Sequence, residues 1–481
     1  MKYKSFLFGI VVFALLLVFK VIPHEPKISH MFAIIIFMGI LWLTEALPIG
    51  ITALFPLVLY PILNISNANQ VSVNYFNSTI FLFLGGFILS IAIEKTGLHK
   101  EIALFLLKIL GNSKDGLLLA FATSSWFLSM FISNTATALI MLPIAVSIIN
   151  NLVGAVPERA RNKFSKALLL AIAYSCSIGG ITTLIGTPPN LIFHKIYLIN
   201  FPNLPEITFA KWLGIAFPIS ITLLIAEYLL LRTIFLRNVP TKINFLQNLD
   251  TNSLENKESR TDQIITFIVF LSTCLLWIFR SKIDLGFILI PGWADILGIS
   301  NFVDDSTIAV FSALILFILP SRSINLGERI LNIQDLKKVP WDIILLFGGG
   351  FAIADGFERT GLSDYLAKSL VDFTHFPELA LIVLISVIIV ATTEFSSNTA
   401  VASTFLPIVA SICKVLNIAP IKLMVPSAIS ASLAFMLPIS TPPNAIVFST
   451  GRLKIYEMAL VGISLNIFGI IVVALYFYYF Y

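Results

Sequence analysis

Two Ser-Asn-Thr tripeptides lie inside otherwise apolar sequence: Ser133-Asn134-Thr135 in FISNTATALIMLPIA and Ser397-Asn398-Thr399 in FSSNTAVASTFLPIV. Hydroxyl and amide side chains supply donors and acceptors without a fixed charge. At a helix break they leave free backbone N–H groups at the start of the next leg, and those groups, with the helix dipole, attract an anion. Each triplet is followed by a second interruption, Gly186-Thr187-Pro188-Pro189-Asn190 and Ser440-Thr441-Pro442-Pro443-Asn444. Paired prolines remove N–H donors and clash with the preceding carbonyls, so a span must unwind there. The unwound carbonyls around Gly186-Thr187 and Ser440-Thr441 are hard oxygen ligands for a small cation. Neither triplet has a Lys or Arg nearby. A dianion at mid-membrane without a fixed cation is costly, and a bound ion such as Na⁺ offsets it. That favours a coupled carrier over a channel. A lone triplet would read as a helix cap or as interhelical hydrogen bonding by small residues. Two, each paired with TPPN, favour a binding site.

Such residues need helices in a membrane to hold them. The 481 residues are 58% hydrophobic and 12% charged, with a mean hydropathy of +0.95. A soluble domain is closer to one quarter charged. A spanning helix takes about 20 apolar residues. Spans are expected near 5–22, 29–46, 48–63, 79–95, 166–188, 211–236, 262–280, 304–320, 341–358, 423–447 and 458–479. Regions 116–150 and 379–413 are long enough for two legs each and are broken at the triplets. The polar stretch 237–263 is too short for a separate fold and reads as a loop. The N-terminal SFLFGIVVFALLLVF could open a signal peptide, but KVIPHEPK offers no small-residue cleavage site, so an uncleaved first span is expected.

Basic residues set the sidedness. Lys2 and Lys4 place the N-terminus in the cytoplasm. Lys95, Lys100, Lys108 and Lys114, then Arg159, Arg161, Lys163 and Lys166, then Arg237, Lys242, Lys257 and Arg260, and finally Arg322, Arg329, Lys337 and Lys338 mark cytoplasmic segments. Residues 64–78 are uncharged, and 281–305 hold Asp284, Asp295, Asp304 and Asp305 against Lys282, which suits the outside. Eleven spans leave the C-terminus outside if 116–150 and 379–413 are re-entrant hairpins. The net charge of +5 is spread over loops and ends and points to no nucleic acid.

The chain repeats itself. LFLGGFILSIAIEKTGLHKEIA (82–103) aligns with LFGGGFAIADGFERTGLSDYLA (346–367), as Gly85 onto Gly349 and Glu94 onto Glu358, a shift of 264 residues. The same shift carries Asn134 onto Asn398 and Pro143 onto Pro407; GTPPNLI onto STPPNAI needs 254. The matched segments differ in charge. Residues 64–78 carry no basic residue where 321–340 carry four, and 359–378 pair Arg359 and Lys368 with Asp364, Asp372 and Glu378. Equal sequence with opposite charge sidedness is an inverted repeat, an architecture of secondary transporters. The best-matching positions are polar, which weakens the alternative of a purely structural duplication.

Other ionisable groups read more blandly. Glu94 and Glu358 lie at span ends beside Lys95 and Arg359. Glu45 and Glu394 are deeper and either relay protons or fix a hairpin, the structural role being favoured. His24, His30, His99, His194 and His375 lack ligand spacing, and Cys176, Cys274 and Cys413 read as buried free thiols.

The paired SNT and TPPN motifs, with WLTEALPIG (42–50) and FLGGF (83–87), resemble the divalent-anion:sodium symporter family, the sodium–dicarboxylate/sulfate carriers, over essentially the whole chain. The resemblance implies an all-α polytopic membrane protein of about 11 transmembrane helices plus two re-entrant hairpins. It implies a homodimer in which a scaffold domain (1–115 and 262–378) supports a transport domain (116–261 and 379–481) moving like an elevator. It implies one sodium at Ser129, Ser133, Asn134 and Gly186 and another at Thr393, Ser396, Asn398 and Ser440. The substrate carboxylates would meet Asn134, Thr135, Thr187, Pro188, Asn398, Thr399, Thr441 and Pro442. Ser396 and Ser440 stand where some members have Ala; a backbone carbonyl ligand there would be unaffected.

The expected function is secondary transport of a C4-dicarboxylate across the cell (inner) membrane with sodium as coupling ion and no other cofactor. Sodium-independent exchange, or a sulfate or citrate substrate, is the alternative. A membrane enzyme would need a nucleophile–base pair or a metal cluster in the bilayer; the sequence has no HExxH and no intramembrane Asp or His cluster. An anion channel would leave the inverted symmetry without a purpose.

Overall fold

The computed structural model describes residues 2–19, 22, 25–111, 113–152, 156–237, 239, 259–284, 289–322, 329–362, 365 and 376–481. Most of the expected 237–263 loop, with Lys242 and Lys257, lies outside them, as do His24, His375, Asp364, Lys368 and Asp372.

The described chain is mostly helical, and Ile283–Asp284 pairs antiparallel with Leu289–Ile290. Among the described residues, seven helices are long and apolar enough to cross a membrane: Pro26–Leu43, Ser78–Lys95, Glu158–Thr182, Phe209–Leu236, Arg260–Ile278, Asn398–Leu416 and Ile455–Phe480. Shorter apolar helices include Asp305–Ile318 and Glu378–Thr393. Both triplet regions form helix–break–helix pairs: Lys114–Ser129 with Asn134–Asn151, and Glu378–Thr393 with Asn398–Leu416.

Three expected spans are not single helices. Region 48–63 splits into Ile49–Thr52 and Phe55–Ile62, because Pro56 opens a new helix in its first turn. The 166–188 span ends at Thr182, and a helix absent from the expected list, Pro188–Asn200, begins at the paired prolines. His194 and Lys195 lowered its hydropathy below that of a span. Region 423–447 is Pro420–Ser430 and Pro442–Phe448, with 431–441 irregular between them. Segment 95–115, read as a loop, holds the amphipathic Leu98–Leu110 helix.

The repeat is visible in how helices stop and touch. Gly97 and Gly361, both left-handed (φ 70° and 77°), end the Ser78–Lys95 and Trp341–Thr360 helices. Only glycine takes that conformation without penalty, which explains the recurring Thr-Gly-Leu. Contacts then cross between halves. A Cβ on Gly85 would lie 2.6 Å from Ala309, and one on Gly349 would lie 2.6 Å from Ala53. The helix after the first TPPN, Pro188–Asn200, packs on Asn398–Leu416 of the second broken pair. The helix after the second, Pro442–Phe448, packs on Asn134–Asn151 of the first. A large apolar cluster surrounds these elements, and a smaller one joins Pro26–Leu43, residues 49–62 and Trp341–Thr360.

Candidate binding site

The exchange of helices brings all four interruptions together around one cavity of about 700 Å³. Asn134, Thr135, Thr187, Pro188, Asn398, Thr399, Thr441 and Pro442 all line it, as do Ser133, Gly186, Ser396 and Ser440. Ser129 and Thr393 do not reach the cavity. They lie fully buried behind it, and their hydroxyls donate to the triplet amides: Ser129 Oγ to Asn134 Oδ1 at 2.6 Å, Thr393 Oγ1 to Asn398 Oδ1 at 2.7 Å. Every residue singled out for the site is therefore in the wall or directly behind it.

Helix N-termini converge there. Asn134–Asn151, Pro188–Asn200 and Asn398–Leu416 each open with cavity-lining residues, and the short Pro442–Phe448 helix joins them. Each full-length helix presents about half a positive charge at its start. The three long ones together approach one and a half charges, supplied without any side-chain cation. Among the described residues the lining contains no Lys or Arg; it contains Glu45 and Asp342 at the wall formed by 43–49 and 342–347. Apolar surface comes from Phe83, Phe87, Phe131, Phe347, Phe395 and Ile439. The cavity can thus attract an anion through backbone dipoles and leaves part of its charge for mobile cations to balance.

The breaks are held open by the last residue of each TPPN, which sequence reasoning quoted and gave no role. Asn190 Nδ2 donates to the carbonyls of Gly180, Ile181 and Thr183 at 3.0, 3.3 and 2.7 Å. Asn444 Nδ2 donates to Ala434 O, Leu437 O and Ser440 Oγ at 3.1, 3.0 and 3.1 Å. Both side chains are 0% exposed. A side-chain amide can thus replace the helical N–H groups that the prolines and the break remove. Thr183 Oγ1 to Met130 O and Thr393 Oγ1 to Ala431 O, at 2.8 Å for the latter, tie each break to its hairpin. Gly180 is a further unforeseen member. A Cβ there would lie 2.8 Å from Asn134 Oδ1 and 3.2 Å from Thr187 Cβ, so a bare backbone admits the first triplet.

Glu394 has a structural job. It is 2% exposed, and its carboxylate accepts from Phe435 N and Met436 N at 2.9 Å, Leu437 N at 3.2 Å and Asn466 Nδ2 at 2.6 Å. Three consecutive backbone donors on one carboxylate fix the irregular 431–441 segment against the second triplet. The matching position in the first half is Met130, whose carbonyl does the corresponding work. Glu358 pairs with Lys414 across elements, Glu94 lines no part of the cavity, and Cys176, Cys274 and Cys413 are free thiols.

Residues 3–481 match the family described as "Sodium:sulfate symporter transmembrane region". The chain is 38% identical over 483 residues to "Sodium-dependent dicarboxylate transporter SdcS" of Staphylococcus saprophyticus, covering 98% of this chain and 91% of that protein. It is 37% identical, with the same coverage, to the protein of that name in Staphylococcus aureus. Among solved structures its fold is similar to the Alcanivorax borkumensis YdaH transporter (TM-score 0.57, 13% identity, 85% of this chain and 86% of that one). It is also similar to Neisseria gonorrhoeae MtrF (TM-score 0.58, 14% identity, 87% and 83%). At those identities the likeness concerns the fold.

Proposed function

The chain belongs to the sodium:sulfate symporter family, and from that premise we propose that it carries C4-dicarboxylates such as succinate, malate or fumarate into the cell, driven by sodium. It is an integral membrane transporter and not an enzyme. The observation that carries the substrate class is the cavity itself: three long helix N-termini, two Ser-Asn-Thr triplets and no side-chain cation. A rod with a carboxylate at each end matches two triplets facing one space. One carboxylate meets Asn134, Thr135, Thr187 and Pro188, and the other meets Asn398, Thr399, Thr441 and Pro442. Sodium sits beside each triplet, at Ser129, Ser133, Asn134 and Gly186 and at Thr393, Ser396, Asn398 and Ser440. In this reading Ser129 and Thr393 act from behind, through the amide oxygens they contact.

Transport then needs the cavity to face each side in turn. The broken pairs, the TPPN helices and the Glu158–Thr182, Phe209–Leu231 and Ile455–Phe480 helices form the moving body, and the remaining helices form a scaffold that dimerises with a second copy. Lys114 and Asp115 begin the helix that opens the first broken pair and Glu378 the one that opens the second, so in this reading these residues travel with the moving body. The exchanged packing of the TPPN helices supports an inverted repeat with the N-terminus cytoplasmic and the C-terminus outside. The test is uptake of labelled succinate by proteoliposomes with and without an inward sodium gradient. Gradient-dependent accumulation is the expected result; equal uptake in both conditions would remove the symport reading.

A further inference from the structure

Ion pairs with both ends among the described residues sort by the bodies they join. Lys95–Asp335 stays within the scaffold, and Lys166–Glu457, Arg232–Asp115 and Lys422–Glu378 stay within the moving body. Two pairs cross. Arg280 Nη2 donates to Glu206 Oε2 at 3.0 Å, and Lys414 pairs with Glu358. Both crossings meet at residues 201–208, the connection between the Pro188–Asn200 and Phe209–Leu231 helices. Glu206 lies in that connection, and Lys414 Nζ stands 5.7 Å from the ring centre of Phe201.

The scaffold side of the first crossing is built rigidly. The Arg280 side chain is 5% exposed; its Nε lies 2.8 Å from Asp305 Oδ1, and its Nη1 donates to Val303 O at 2.9 Å. Asp305 Oδ2 also accepts from Phe209 N at 2.7 Å, which caps the next helix of the moving body from across the boundary. Phe209 stacks on Trp277, with ring centres 4.7 Å apart. His194, on the helix that begins at the cavity, lies 3.8 Å from Glu206. The repeat counterpart of this connection, residues 449–454, is different. There Arg452 donates to Asn150 and Lys454 belongs to the cap of its own helix, both within the moving body.

We propose that the 201–208 connection is a two-pronged ionic latch between the moving body and the scaffold, closing one face of the protein and releasing at each transport stroke. The proposal rests on the division into two bodies given above. A contact that joins bodies displaced relative to one another must break during the displacement, and its absence from the counterpart connection among the described residues makes the hold one-sided. The latch therefore favours the arrangement described here over its opposite. Charged pairs suit this task because water and ions can take over both partners once they part.

The experiment uses a protein whose native cysteines are replaced and which carries Glu358→Cys and Lys414→Cys, a pair at the more exposed crossing. A short bis-methanethiosulfonate reagent joins the two thiols, and a reductant frees them. In proteoliposomes, the linked protein is expected to lose at least tenfold in succinate uptake and to regain it on reduction. Succinate binding, measured by equilibrium binding on the same purified protein, is expected to stay within twofold. Linked protein that transports as fast as the reduced form overturns the latch, and so does simultaneous loss of binding. A failure of the carrier reading looks different, because the reduced double variant would then neither bind nor accumulate succinate. As a second variant, Glu206→Gln is expected to raise the fraction of protein in the opposite arrangement, read as a changed distance between spin labels on Glu158–Thr182 and Arg260–Ile278. An unchanged distance distribution counts against the proposal.

Discussion

At the level of single residues, the two triplet asparagines are the sharpest points of the molecule. Asn134→Ala removes an amide that faces the cavity and accepts from Ser129. The stranded hydroxyl costs roughly 1–3 kcal/mol, too little to unfold a protein of this size. Asn134→Ala and Asn398→Ala are therefore expected to reduce uptake to background while the purified proteins melt cooperatively, and full transport by either would undo the site. Asn190 and Asn444 should act through the breaks. Asn190→Ala strands the carbonyls of Gly180, Ile181 and Thr183 together, so it is expected to weaken sodium activation of uptake and to lower the melting temperature. A sodium titration of uptake reads the first effect and thermal unfolding the second. Glu394→Gln leaves one acceptor oxygen for three backbone donors and turns an NH₂ toward them. Hydrogen bonds to a charged group are worth about 1.5–3 kcal/mol each. That variant should melt earlier and transport at least tenfold more slowly; wild-type behaviour on both counts would return Glu394 to the list of candidate proton relays.

Element by element, close approach matters more than hydropathy. Gly85→Ala and Gly349→Ala each place a methyl 2.6 Å from Ala309 or Ala53, where real atoms do not fit. Overpacking of this kind costs about 1–3 kcal/mol. Gly86→Ala meets nothing nearer than Ile185 at 3.6 Å, so it serves as the control and should melt like the parent. The sequence made the FLGGF and FGGGF repeat legible, but not which glycine bears the contact, because the opposing helix lies more than two hundred residues away. Asn190 and Asn444 stayed hidden for another reason: the carbonyls they bind lie seven to ten residues upstream and are free only once the helix has broken, whereas Gly180 meets the side chain of Asn134 across the fold. Proline signals located the breaks correctly, yet a hydropathy window could not separate a broken span from a continuous one. The connection 201–208 adds a pH prediction. Burial alone would raise the Glu206 acid, but His194 and Arg280 bring it down to about 2 from 4.5. A depressed carboxyl stabilises above its ordinary value and loses that contribution as pH falls toward the lowered one. The difference in melting temperature between the parent and Glu206→Gln should thus shrink as pH falls below about 4.5, and a difference that kept its size down to about pH 3 would point to another group.

For the whole molecule, the charge inventory of the cavity decides how substrate and cation must depend on each other. Both halves contribute helix N-termini and hydroxyls to one cavity, and the repeated SNT and TPPN motifs made that contribution readable. Neither triplet has a Lys or Arg nearby in sequence, and none stands among the described lining residues. What the sequence did not disclose is Asp342, which joins Glu45 on the cavity wall through the crossing of 43–50 and the Trp341–Thr360 helix; a Cβ on Gly50 would touch the Asp342 backbone at 2.8 Å. Two carboxylates on one wall make an unaccompanied dianion still less favourable, so sodium and dicarboxylate should bind as partners. Linkage requires the effect to be reciprocal. A ligand present at one hundred times its dissociation constant stabilises the folded state by about 2.7 kcal/mol. In sodium buffer, succinate at that excess should raise the melting temperature clearly. In choline buffer, from which sodium has been removed, the same succinate concentration should produce almost no shift, and sodium should in turn bind more tightly once succinate is present. Equal stabilisation by succinate in both buffers would mean that backbone dipoles alone satisfy the dianion, and the coupling of its movement to sodium would then lack a physical cause in this cavity.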